Sequence, residues 1–163
     1  EPLRDGELIR AAGVEIGVLA TPGHTSDSVC FHVTDDTGAS QVLTGDTILG
    51  QGSTVICFPD GRLGDYLASL DKLLGLGPAA ALPGHGPVLE DLSAIAAAYQ
   101  AHRQERLAQV RAAVERLQAD GTEPGADAVT AVVYGDVPAN LQGAAQLSVE
   151  AQLDYLRGLT SAP

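Results

Sequence analysis

The sequence predicts an α+β fold from three observations. Short apolar runs, one with strand-like alternation, fill the first part of the chain, the period lengthens to that of a helix at Arg62, and helical spacing dominates from residue 90 onward. Strands first, then helices gathered behind them, is the order of a layered α+β unit.

Residues 7 to 20, ELIRAAGVEIGVLA, are two short apolar runs broken at Gly13. Residues 28 to 34, SVCFHVT, alternate, with Val29, Phe31 and Val33 on one face. DDTGAS then makes a turn and QVLTGD returns, so a meander of antiparallel strands joined by glycine-containing loops is expected. From Arg62 to Leu76 the apolar positions Leu63, Tyr66, Leu67, Leu70, Leu73 and Leu74 follow helical spacing, ended by Gly75 and Gly77. AAALP is a short buried strand leading to His85. Leu92, Ile95, Tyr99, Leu107, Val110, Val114 and Leu117 mark a long helix over 90 to 119, stopped by Asp120-Gly121. Beyond GTEPGAD come two more helical patterns, about 126 to 134 and 141 to 158. Three units result: 1–89 with the strands, 90–120 as a connecting helix, and 121–163 as a helical tail.

Composition narrows the function. With 45% hydrophobic and 18% charged residues the chain falls in the range of globular domains rather than disordered ones. Its apolar runs fall short of the roughly 18 residues that a membrane helix needs. The expectation is a soluble, cytoplasmic protein with no membrane partner. A net charge of -12 repels polyanions, so nucleic acid is not the favoured partner. Cys30 and Cys57 sit among apolar neighbours without CxxC spacing and read as free thiols. Arg103, Arg106, Arg111 and Arg116 share the long helix with Glu105 and Glu115 and read as a solvated charged face, with His102 exposed or packed between domains.

Three stretches carry candidate chemistry. TPGHTSDSV at 21 to 29, LTGDTILG at 43 to 50 and LPGHGPV at 82 to 88 each set a polar residue (His24, Asp46, His85) beside a glycine at a strand end. Neighbouring strands lie about 4.8 Å apart, so groups at adjacent strand ends can converge. Glycines allow sharp turns there and prolines stiffen them. Imidazole with carboxylate suits zinc or a similar first-row metal better than calcium or magnesium. Ordinary loop histidines and a turn aspartate are the plain alternative.

In this order the three stretches resemble the second half of the metallo-β-lactamase superfamily, near its lactamase-like and glyoxalase II-like hydrolases and animal mitochondrial endoribonucleases. HRQER at 102 to 106 and NLQGAAQLSVEAQLDYL at 140 to 156 match later features of that group. The resemblance implies the second half of an αββα sandwich followed by a small helical, winged-helix-like tail. It implies His24 on a first metal, Asp46 bridging, and His85 on a second, with two zinc ions in the intact parent and one or none in this chain. Thr25 and Thr47 would hydrogen-bond behind the ligands, or else cap their own turns. Gly50, Gly52, Ser53 and Thr54 would form a substrate loop, or else a plain glycine turn.

The family's leading HxHxDH motif is absent: His24 is the first histidine, and His32 and His102 have no partner at ligand spacing. The chain is therefore expected to be the C-terminal part of a hydrolase acting on an ester, thioester or phosphodiester, without a complete catalytic set and inactive alone. Its missing half would be truncated, a separate chain or a second copy, and an exposed sheet face would drive self-association. A small-molecule substrate is favoured over RNA by the acidic charge. The alternatives are an endoribonuclease and a non-enzymatic half-domain acting through protein association.

Overall fold

The computed structural model describes residues 2–11, 13–35 and 37–160. Residues 1, 12 and 36 of the first expected unit, the last of them in the expected DDTGAS turn, and residues 161–163 of the tail lie outside them. The order is β1 (Leu8–Ala11), β2 (Val14–Ala20), β3 (Val29–Thr34), β4 (Ser40–Gly45), α1 (Leu63–Leu74), β5 (Ala80–Pro83), α2 (Leu92–Ala119), α3 (Ala126–Val133) and α4 (Gln142–Thr160). The expected meander forms, with β1 to β4 antiparallel in sequence order. Because α1 carries the chain back across the sheet, β5 joins β4 in parallel.

The register separates two faces, since residues directly opposite on paired strands share a side. Leu19 pairs with Cys30, and Val42 with Ala81. This face packs on Tyr66, Leu70 and Leu73 of α1 and on Leu92 and Ala96 of α2 to make the main core. On the other face Phe31 pairs with Leu43 and Leu43 with Leu82. There Val18 is buried, but Ile16, Val29, Phe31, Val33 and Leu82 are half-buried and Leu43 is 41% exposed. The apolar alternation of β3 therefore marks the open face, and the intervening Cys30 is the core residue.

Asp91 caps α2 by accepting from the Ala94 N–H at 2.9 Å, which satisfies one of the free donors of the first turn. Val110 and Ala113 of α2, Val129 of α3 and Val149 of α4 form a second core that fixes the tail. Each fully buried valine contributes roughly 1.5–3 kcal/mol. The described residues of the tail hold helices and no strand. Arg103 is only 7% exposed, which corrects the expected solvated face at that position. It shares the buried stripe of α2 with Ala96, Leu107 and Val110.

Candidate metal centre

His24 follows β2, Asp46 follows β4 and His85 follows β5, so all three leave from one end of the sheet. Asp46 stands between the imidazoles. Its Oδ2 lies 3.8 Å from His24 Nε2, and its Oδ1 lies 3.6 Å from His85 Nε2. Two donors bound tetrahedrally to one zinc ion sit roughly 3.4 Å apart, so each pair approaches the spacing of ligands on a common ion.

The His24 ring is held in a defined state. Its Nδ1 lies 2.6 Å from the Val55 carbonyl oxygen. A carbonyl only accepts, so Nδ1 carries the hydrogen and, in the neutral ring, Nε2 keeps its lone pair toward Asp46. Backbone partners of this kind orient metal-binding histidines. The Asp46 side is also fixed from behind: its main-chain carbonyl accepts from Thr54 Oγ1 at 2.6 Å, and the Gly84 N–H donates to the Gly45 carbonyl at 2.9 Å. A side chain at position 84 would bring its Cβ to 3.3 Å from Asp46 Oδ1 and from the Gly45 backbone, so glycine keeps the two ligand loops close. His85 is anchored through its own carbonyl, which accepts from the Gly50 N–H at 2.8 Å.

Asp46 Oδ1 is buried and has no hydrogen-bond partner. A buried carboxylate oxygen without a donor is costly, and a cation is one natural occupant beside it. The residues present fit a metal in part. No group of three or more His, Cys, Asp or Glu among the described residues is placed to hold an ion; there are two pairs sharing Asp46, whereas a catalytic zinc takes three protein ligands. The exposure is graded too, with the His24 side chain 25% exposed and His85 78%, so the second pair faces outward.

The other expected residues fall in different places. Thr25 Oγ1 donates to Asp27 Oδ1 and lies equally close to Ser28 Oγ, both at 2.8 Å, which are contacts within its own loop. Thr47 is buried, with its hydroxyl 3.1 Å from that of Thr21 and its carbonyl accepting from Tyr66 Oη at 2.7 Å. In the 50–54 loop Gly52 and Ser53 are exposed and Thr54 is buried. Tyr99 of α2 pins this loop, its hydroxyl lying 3.1 and 2.9 Å from the Leu49 and Gly52 carbonyl oxygens, which share its one hydrogen. His32 is a cross-strand residue, with Nε2 2.6 Å from Ser40 Oγ.

Sequence reasoning missed Tyr66 and Arg103 behind the site. Tyr66 reads as an apolar helix position, yet its hydroxyl holds the Asp46-Thr47 turn, and burial pushes its phenol up to about 12. The Arg103 guanidinium lies 5.1 Å from the centre of the Tyr66 ring and donates to the Thr54 carbonyl.

Known proteins supply an independent comparison. The profile of the metallo-beta-lactamase superfamily matches residues 1–85. The "Lactamase-like protein adaB" of Aspergillus niger is 33% identical, over 88% of this chain and 46% of its own length. The "Beta-lactamase-like protein 2 homolog" of Drosophila melanogaster is 35% identical, over 95% of this chain and 50% of its own. A crystal structure of a metallo-beta-lactamase family protein from Thermus thermophilus superposes with a TM-score of 0.79 at 30% identity, covering 99% of this chain and 50% of that one. A beta-lactamase domain protein from Burkholderia ambifaria shares the fold, with a TM-score of 0.82 at 22% identity over 96% of this chain and 46% of the other. The chain thus spans about half the length of the relatives it matches. With more than half of its residues covered by that profile, and with lactamase-like relatives along most of its length, the chain belongs to the metallo-beta-lactamase superfamily.

Proposed function

We propose that this chain is part of a metal-dependent hydrolase in which His24 and Asp46 serve one metal, Asp46 and His85 a second, and zinc is the cation. The observation that carries the reading is Asp46 itself, with one oxygen toward each imidazole and the buried one unsatisfied. A cation bound there supplies an acidified water and charge stabilisation for hydrolysis of an ester, thioester or phosphodiester. The chain's own residues keep the donors in state and place. The Val55 carbonyl fixes the His24 tautomer, Thr54 Oγ1 holds the main chain of Asp46, and Gly50 holds that of His85. Gly50, Gly52 and Ser53 border the site as a substrate-contacting loop, with Thr54 as its inner anchor, and Thr25 and Thr47 stiffen the ligand turns.

The remaining donors would come from the half of the fold that the longer relatives possess and that would cover the open face around Phe31 and Leu43. Until that half or a second copy is seated, the chain is inactive. A small-molecule ester or thioester suits the net charge of -12 better than RNA does. The unpaired Cys30 and Cys57 suit a reducing, cytoplasmic setting. No helix among the described residues is long and apolar enough to cross a membrane.

Elemental analysis and hydrolysis assays of the parent protein, together with its His24→Ala, Asp46→Ala and His85→Ala variants, test the reading. The expected result is about two zinc ions per parent chain, with metal and turnover lost together in Asp46→Ala. A parent that holds no metal, or an Asp46→Ala variant that keeps both metal and turnover, overturns it.

A further inference from the structure

A second feature lies just behind the metal centre. Ser53, Thr54 and Val55, the middle of α2, the segment from Tyr134 to Leu141 and the start of α4 line an open-sided cavity of about 370 Å³, within the size range of small-ligand sites. His102, Arg103 and Arg106 all line it, and no aspartate or glutamate does. In a chain of net charge -12 this is a local reversal of sign.

The arginines are unevenly satisfied. Arg103 is 7% exposed, and its Nε–H is buried without a hydrogen-bond partner. No ion pair among the described residues involves Arg103; its partners are the Thr54 carbonyl and the face of Tyr66. A buried guanidinium without a counter-charge is expensive unless an anion completes it. Arg106 is half-buried, stacked 5.2 Å from the centre of the Tyr134 ring, and donates to Gln109 Oε1 at 2.9 Å. That stacking orients a planar fork suited to oxyanions. Glu105, the nearest acid in sequence, is exposed and receives a long 3.5 Å hydrogen bond from Gln109. His102 is held below the ordinary histidine range by burial and then by the charges of Arg103 and Arg106, so the pocket's positive charge at neutral pH comes from the arginines.

We propose that this cavity binds an oxyanion, a carboxylate or phosphate group carried by the substrate, through Arg103 Nε–H, the Arg106 guanidinium and the His102 ring. The word substrate rests on the hydrolase reading; anion binding does not. The site would recognise a small ester or thioester with one acidic group, whose reactive end extends past Thr54 and Val55 toward His24.

The four histidines give four Hε1 signals in nuclear magnetic resonance, and His102→Gln assigns the one in the cavity. Inorganic phosphate and acetate are titrated separately into the metal-free protein at constant ionic strength. The expected result is a saturable shift of the His102 signal with one or both anions, the tighter one naming the group. Arg106→Gln is expected to weaken binding about tenfold or more, the loss of one contact to a charged group, and Arg106→Lys to restore part of it with an unchanged circular dichroism spectrum. A shift that does not saturate, one that Arg106→Gln leaves unaltered, or one confined to His24 and His85 overturns the proposal. Since neither metal nor turnover is measured, an inactive parent with a saturable His102 shift leaves the anion site standing. An active parent without that shift removes the site alone.

Discussion

Replacing Gly50 by alanine is the sharpest test of how the ligand loops are joined. A Cβ at this position would lie 2.2 Å from the Pro87 carbonyl oxygen, 2.6 Å from the Pro87 nitrogen and 2.7 Å from the Gly86 carbonyl carbon. All three are main-chain atoms, so no side chain can swing away and the two loops must separate. Overpacking of this kind costs about 1–3 kcal/mol, and separation also strains the 2.8 Å hydrogen bond from the Gly50 N–H to the His85 carbonyl, worth about 1 kcal/mol. The expected destabilisation is about 2–4 kcal/mol, a large part of the 5–15 kcal/mol typical of a domain. Gly52 is the control two residues along. It has φ +80, but a Cβ added there would meet nothing within 4 Å, so Gly52→Ala carries only the left-handed backbone cost of about 1–2 kcal/mol. Urea unfolding followed by circular dichroism suits a chain with no tryptophan. A Gly50→Ala midpoint equal to wild type, or a Gly52→Ala variant that is the less stable of the two, would refute the reasoning.

Other expectations concern titration and thiol access. Burial pushes Tyr66 up to about 12, so this phenol stays neutral in the folded protein where an unfolded one ionises near 10; the stability this contributes is complete below pH 10 and is lost as pH rises toward 12. Phenolate absorbance should therefore show one tyrosine ionising only with unfolding, a step absent in Tyr66→Phe; four tyrosines ionising together in the folded state would contradict it. The Ser26 hydroxyl and N–H hold the Asp60 carboxyl below its ordinary 3.8, so the linkage has the opposite sign, with stability present above that value and lost as pH falls through the folded one. Thermal melts from neutral pH downward should show a shallower acid decline in Asp60→Asn, and an unchanged profile would count against the contact. Cys30 is buried and its thiol is pushed up by that burial, whereas Cys57 is half-buried. A thiol reagent should modify Cys57 first and Cys30 only on unfolding, and fast loss of both would mean that the sheet's helix-side core opens readily.

The turn residues made much of this fold and site legible. Gly13 and Gly75 mark element ends, and the two Pro-Gly-His frames with the Thr-Gly-Asp stretch between them placed two imidazoles and a carboxylate at one end of the sheet, where the structure has them. What stayed hidden was main chain and facing. The groups that fix His24 and Arg103 are the carbonyls of Val55 and Thr54, and a carbonyl has no letter of its own. The side of β3 that meets the helices could not be read from alternation, because its more apolar side, with Val29, Phe31 and Val33, is the open one, and the helix side carries Cys30 beside the polar His32 and Thr34. The burial of Arg103 did leave a signal. It stands four residues before Leu107, on the buried stripe of α2, and charge type outweighed position in reading it.

Adjacent peptide units, Thr54 and Val55, serve the two halves of the site: one carbonyl receives the arginine of the cavity and the next receives the ring of His24. Both attachments use main-chain atoms, so side-chain identity at position 55 is comparatively unconstrained by them. Residue count is constrained. Deleting or inserting one residue here would shift the order in which successive carbonyls are presented, uncoupling the arginine and the histidine in one event. This short segment is thus a spacer whose length is inherited by two sites at once, and variants that alter the letter at position 55 should be far better tolerated than variants that alter the number of residues.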